Sequence, residues 1–336
     1  MMRVKIEDVC MKGSSNLKQS DVVGKNGIYP VYGAAGYLGS IDSFKQSKPY
    51  VAVVKDGAGI GRAMLLPSNS SIIGTMQYLL PKDNILPEYL YYLIKAKHLE
   101  KYYSGATIPH IYFKDYKNEE FDLFSFEIQY QIINKLKIIE KIIEKQKKEM
   151  DLLDELVKAR FVELFGNIFD NKNCFPIVKI EDVCSLIKDG THQTPKYVEK
   201  HEGGFKFLSS KDVMSQKIDW SNIKYIPIEL HEKLYSALKP QKNDILMSKN
   251  GVNYGVAAIN DTNEVFDIYV SLALLRPKDI INSIYFRCAI NSYETKRQFD
   301  SSIKGIGVPN LHLGEIKKTK ILLPPIELQN QFADFI

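Results

Sequence analysis

Two short glycine turns are the first places in this sequence where chemistry could sit. "KDGAGIG" runs from Lys55 to Gly61, and "KNGVNYG" from Lys249 to Gly255. A lysine beside clustered glycines can cradle a phosphate, because glycine lets backbone N–H groups approach an anion closely. Neither turn completes a nucleotide motif. Arg62 stands where G-x-G-x-x-G needs its last glycine, and the second turn lacks the middle one. Only the outer glycines recur, which points to a tight turn instead of a cofactor cradle. No G-x-x-x-x-G-K-[ST] loop and no Asn-Pro-Pro-Tyr string occur. Glu294-Thr295-Lys296 supplies half of a nuclease motif, but the chain has no Pro-Asp dipeptide to complete it. The six histidines show no metal-ligand spacing. The expectation is a protein with no catalytic residues, no metal and no cofactor.

The turns belong to an ordered internal repeat. "VKIEDVC" occurs at Val4–Cys10 and again at Val178–Cys184. The glycine turns follow in the same order, then "LLPKD" at Leu79 and "LLRPKD" at Leu274. Next come "GATIPHIYFKDYK" from Gly105 and "GIGVPNLHLGEIK" from Gly305. Glu127 and Gln129 answer Glu327 and Gln329. The offset grows from 174 to 200 along the chain. A duplicated domain with loop insertions in its second copy produces that pattern. The largest insertion falls between Cys184 and Lys249, and is expected in "LIKDGTHQTPKYVEKHEGGFKFLSSKDVMSQKIDW", from Leu186 to Trp220. "VKIEDVC" itself reads as the scaffold edge that starts each domain, and its residues are unsuited to reading bases.

Between the copies lies a helix signal with no Pro or Gly from about Glu127 to Phe165, stopped by Gly166. Steps of four and three pass through Ile132, Leu136, Ile139, Ile143, Gln146, Met150, Leu153, Val157, Arg160 and Leu164. Eight of these ten are apolar, a sustained heptad seam that predicts a coiled coil. The helix carries eight basic and eight acidic residues, so it is neutral. The expected fold is mixed α/β (α+β): two tandem repeated domains joined by a long coiled-coil helix in a pseudo-two-fold arrangement. The boundaries are 1–125 and 167–325 for the domains, 126–166 for the spacer and 326–336 for the start of a second, truncated helix. Strands are expected at Tyr50–Val54 and Asp244–Ser248, and a helix over the stretch from Leu86 to Tyr103.

Composition sets broad limits. With 336 residues, 45% apolar and 25% charged, the chain reads as about two soluble domains. No apolar run spans a bilayer and no secretory signal is visible, so no membrane is expected. The four cysteines form no C-x-x-C pair. Reduced thiols and a cytoplasmic location are expected. The net charge of +5 permits a nucleic-acid partner without requiring one.

The repeat, the "LPPIELQNQF" helix entry, the central "LLDELVKARFVELFG" and "DGTHQTPKY" from Asp189 together resemble the specificity subunit of type I restriction-modification systems. The resemblance covers the whole chain. It implies that each domain is a target recognition domain reading one half of a bipartite site on double-stranded DNA. It also implies that the helices set the spacing, and that catalysis resides in methyltransferase and restriction subunits. Members of that family continue past the second helix entry, whereas this sequence stops at Ile336. A seam left uncovered predicts a homodimer through the 127–165 helices.

DNA readers use Lys and Arg on phosphates, and Arg, Lys, Asn, Gln, Ser or Thr on base edges. In the first copy such groups are Lys55, Arg62, Tyr29, Tyr32, His110 and Lys114. In the second they are Lys249, Asn250, Asn253, Tyr254, Asn310 and His312, with Thr191, His192, Gln193, Thr194 and Lys211 from the expected insertion. The net charge is +3 over 1–126 and +2 over 166–336, so neither domain is a strong electrostatic binder alone. Two other readings fit parts of the pattern. One is a coiled-coil scaffold that does not bind DNA; the other is an enzyme using the glycine turns on a phosphorylated substrate.

Overall fold

The computed structural model describes residues 2–104, 109–303 and 309–336. The chain divides into two compact units, with the boundary between Lys148 and Glu149 in the long helix.

The first unit opens with strand β1 (Met2–Lys5), the single-turn helix α1 (Ile6–Val9) and strand β2 (Cys10–Ser14). Strands β3 (Tyr29–Gly33), β4 (Gly36–Ile41), β5 (Tyr50–Val54), β6 (Ala63–Leu66), β7 (Ser71–Ile72) and β8 (Met76–Pro81) follow. Helices α2 (Pro87–Ala96) and α3 (Phe113–Tyr116), strand β9 (Glu120–Leu123) and the 40-residue helix α4 (Phe126–Phe165) complete it. The sheets are β2-β8-β5-β6, β4-β3-β7 and the antiparallel pair β1-β9. Strand β5 is apolar throughout because it is buried on both faces. Val51 and Val53 face the helical layer, and Tyr50, Ala52 and Val54 face the smaller sheet. The expected helix over Leu86–Tyr103 breaks at His98, whose φ is +50°; a 3-10 turn, Leu99–Tyr102, completes the stretch.

The second unit repeats this order: β10 (Ile177–Lys179), α5 (Ile180–Val183), β11 (Cys184–Asp189), β12 (Phe205–Leu208) and β13 (Lys224–Ile226). Then come α6 (Ile228–Ala237), β14 (Ile245–Ser248), β15 (Ala257–Ile259), β16 (Phe266–Ile268) and β17 (Leu272–Pro277). Helices α7 (Ser283–Ile290), α8 (Tyr293–Ser302) and α9 (Leu313–Lys318), strand β18 (Lys320–Leu322) and helix α10 (Ile326–Phe335) close it. Its sheets, β11-β17-β14-β15, β13-β12-β16 and β10-β18, match the first set strand for strand. Even the one parallel pair recurs, as β3-β7 and β12-β16.

This correspondence narrows the expected insertion to the end of its stretch and adds a second one. Residues 190–204 exceed their counterpart, 15–28, by a single residue, so the main insertion does not lie in "DGTHQTPKY". The extra residues lie at 209–223, where the first copy has only Ala34 and Ala35, and at 227–244, which hold α6. The counterpart of Tyr29–Gly33 is Phe205–Leu208.

"VKIEDVC" takes one conformation twice: a strand paired to the domain's last strand, then a turn of helix. Ile6, Val9 and Cys10 are buried, as are Ile180, Val183 and Cys184. Burial pushes both thiols up to about 12, so they act as small apolar side chains.

Helix α4 ends at Gly166, which adopts φ +68°. Its two ends are packed. Ile132 and Ile133 join the first core; Val157, Phe161, Leu164 and Phe165 join the second, against Tyr285 and Phe332. Leu136 is half-buried. The expected seam is therefore open only in its middle. Ile138, Ile139, Ile142, Ile143, Met150, Leu152, Leu153 and Leu156 are 47–64% exposed.

Candidate nucleic-acid interface

In the second domain the turn after β14 is built by backbone bonds. Gly251 N–H donates to Pro309 O at 3.1 Å, and Leu311 N–H to Lys249 O at 2.8 Å. Asn250 and Asn310 form an isolated bridge between these segments. The same frame stands in the first domain. Gly57 N–H donates to Pro109 O at 3.0 Å and Ile111 N–H to Lys55 O at 2.9 Å, while Asp56 bridges His110. Here the paired side chains differ: His110 Nδ1 lies 2.7 Å from Asp56 Oδ1. The recurring outer glycine is a packing requirement. A Cβ on Gly61 would lie 2.4 Å from Glu100 N, and one on Gly255 2.8 Å from the Phe299 ring. The last glycine of each turn is thus packed against the protein's own atoms, while the first, Gly57 or Gly251, faces open space.

The expected contact residues divide into two groups. Lys249 and Tyr254 are buried, at 5% and 8% exposure. Lys249 Nζ meets Asp189 Oδ2 at 2.7 Å. The Tyr254 hydroxyl donates to Asp300, and Lys296 Nζ sits 4.0 Å above its ring. Neither faces an incoming ligand. Tyr29, Tyr32 and Asn250 are half-buried. Tyr29 packs edge-on against Phe44 at 4.7 Å, and Tyr32 against Tyr37 at 6.1 Å. Lys55 is half-buried 3.9 Å from Asp56.

Arg62, Lys114, His192, Gln193, Thr194, Lys211, Asn253, Asn310 and His312 are exposed, and Thr191 and His110 partly so. Arg62 Nη2 donates to Ala34 O at 2.6 Å, holding the β3–β4 turn. Lys114 lies 5.3 Å over the Tyr112 ring. Lys211 donates to Asn222 O at 3.2 Å. Residues 191–194 run beside 268–272: Thr191 N–H donates to Ile268 O at 3.1 Å, and Val270 N–H to Thr191 O at 3.0 Å. Among the described residues no three His, Cys, Asp or Glu side chains cluster as a metal site. No described helix is long and apolar enough to cross a membrane.

Sequence reading missed the buried pair His231–Asp267, 2.7 Å apart with the imidazole stacked on Phe205. Its residues lie in the unmatched segment around α6 and in β16, so no repeated string marks them.

One frame presenting two unlike sets of exposed polar side chains defines a tandem recognition-domain class. The chain belongs to the type I restriction modification DNA specificity domain family, whose profile matches residues 1–150 and 175–336. It is 25% identical over 305 residues to the MjaVIII type I restriction enzyme specificity subunit of Methanocaldococcus jannaschii, covering 84% of this chain and 70% of that protein. The MjaIX specificity subunit of the same organism is 22% identical over 281 residues, 77% of this chain and 63% of that one. A type I restriction-modification S subunit from M. genitalium shares the fold, with a TM-score of 0.56 at 18% identity over 99% of this chain and 87% of that one.

Proposed function

We propose that this chain is the sequence-reading subunit of a type I restriction-modification complex, each domain recognising one half of a bipartite DNA site. The observation that carries the reading is the repeated frame with divergent side chains. Asp56–His110 occupies the place of Asn250–Asn310, while the surrounding backbone bonds are conserved between copies. Family membership favours DNA recognition over a bare coiled-coil scaffold. Base contacts come from the exposed set, chiefly His192, Gln193, Thr194, Asn253 and Asn310 in the second domain, and His110 in the first. Arg62, Lys114 and Lys211 meet phosphates. Methylation and cleavage belong to methyltransferase and restriction subunits, and the chain needs no cofactor of its own. Exchanging residues 1–125 for another recognition domain tests the reading. One half of the selected site changes and the other stays; a change in both halves refutes modular recognition.

The middle of α4 is a second surface. Residues 135–148 carry a net charge of +4, and 149–157 carry −4. Two such helices packed antiparallel set opposite charges together, whereas parallel packing opposes like charges. Without its partner subunits, the 336-residue chain forms an antiparallel homodimer through this stripe.

A further inference from the structure

A buried ammonium is expensive. Removing a charge from water costs several kcal/mol, which an exposed lysine on a phosphate avoids. Lys249 is such a buried group, and it lies under the exposed loop of the second domain. Its Nζ holds Asp189 Oδ2 at 2.7 Å, and the same oxygen lies 3.5 Å from His192 Nε2. The lysine is itself fixed: its N–H donates to Ser271 O, and its carbonyl accepts from Leu311 N, both at 2.8 Å. The loop beyond Asp189 has no slack at its base. A Cβ on Gly190 would lie 2.0 Å from Ile268 O, so this backbone lies directly on β16. Gln193 N–H then donates to Thr191 Oγ1 at 3.1 Å. Beyond that turn Thr194 Oγ1 lies 3.4 Å from the Tyr269 hydroxyl, and His192 reaches back to Asp189.

We propose that Lys249 is a positioning residue for recognition by the second domain: its buried ammonium fixes the Asp189 carboxylate, and Asp189 orients His192 towards the DNA. This rests on the DNA-reading function proposed above. The first domain lacks the device. Its Lys55 stands 3.9 Å from its own neighbour Asp56, both partly exposed, and its β2 ends in Ser14 with no acid.

The test is selection from a randomised duplex library by the purified full chain, with Lys249→Met, Lys249→Arg and Asp189→Asn beside the wild type. Lys249→Met is expected to flatten base preference in one half-site, by roughly 10-fold at the affected positions, and to leave the other half unchanged. Asp189→Asn weakens the same positions, the double variant with Lys249→Met loses no more than Lys249→Met alone, and Lys249→Arg restores part of the preference. Thermal unfolding checks each variant; if Lys249→Met does not fold, Asp189→Asn carries the test. An unchanged motif from folded Lys249→Met, or from Asp189→Asn where that variant carries the test, overturns the proposal. Equal loss on every duplex with a smaller salt slope also overturns it, since that marks a direct phosphate contact. A wild type that selects no motif overturns the DNA reading itself, and this proposal with it.

Discussion

Gln129 and Gln329, two hundred residues apart, fill equivalent buried sockets, one in each domain. Gln129 Oε1 accepts from Leu86 N–H at 2.9 Å, and its Nε2 donates to Asn84 O and Phe124 O. Gln329 Oε1 accepts from Asn282 N–H at 2.8 Å, and its Nε2 donates to Ile280 O and Pro324 O. Each amide ties the first turn of its domain's last helix, α4 or α10, to the start of the helix that covers the large sheet. Leucine is close in size but leaves three backbone groups without partners, each costing about 1–3 kcal/mol if it stays dry. Gln129→Leu is expected to lower the unfolding midpoint of the first domain, and Gln329→Leu that of the second. Urea titration followed domain by domain checks this. An unchanged midpoint would mean the sockets admit water.

The His231–Asp267 pair gives a second expectation. Burial raises the Asp267 carboxyl, and the facing imidazole opposes that shift. His231→Leu leaves the acid buried and unpaired, at a cost of roughly 3–5 kcal/mol. Adding Asp267→Leu recovers most of the loss, because both polar partners are then gone. Thermal melts of the single and double variants measure the difference.

Glu119 is expected to make the first domain sensitive to acid. The Lys101 ammonium, then the Tyr102 hydroxyl, hold its carboxyl at about 2, well below the ordinary 4.5. A carboxyl lowered by folding stabilises the native state above its unfolded value, and that contribution fades as pH falls towards the folded one. The stability advantage of wild type over Glu119→Gln is therefore largest near about pH 6 and shrinks by about pH 3. Denaturant midpoints at the two pH values test the sign.

Covering the exposed α4 stripe gains on the order of 10 kcal/mol for eight half-exposed aliphatic side chains. Light scattering at tens of micromolar is expected to show a dimer of the 336-residue chain. Ile139→Asp with Leu153→Asp, both in the exposed middle, yields monomers with both domains folded. A wild-type monomer with an ordered helix would refute self-pairing.

Much of the frame was legible because it is duplicated. Identical strings such as "VKIEDVC" mark places where packing tolerates little change, and Gly166 marks the helix end. The apolar run Tyr50–Val54 marked a strand, and the structure buries it on both faces. The fate of Lys249 and Tyr254 was hidden, because it depends on Asp189, Lys296 and Asp300, which lie well away along the chain. The match between Tyr29–Gly33 and Phe205–Leu208 was equally invisible, since it resides in strand pairing and not in side chains. The seam residues at the ends of α4 read as interhelical, but the domain cores claim Ile132, Val157 and Leu164.

Because β1 pairs with β9 and β10 with β18, each domain is fastened by its first and last strands. During synthesis Met2–Lys5 must wait for Glu120–Leu123 to leave the ribosome before it has a partner. Until then the growing chain exposes an unpaired strand, open to proteases and to misassociation. The wait recurs when Ile177–Lys179 awaits Lys320–Leu322. The two domains thus mature as two separate late events, the first sealed while the second is still being made.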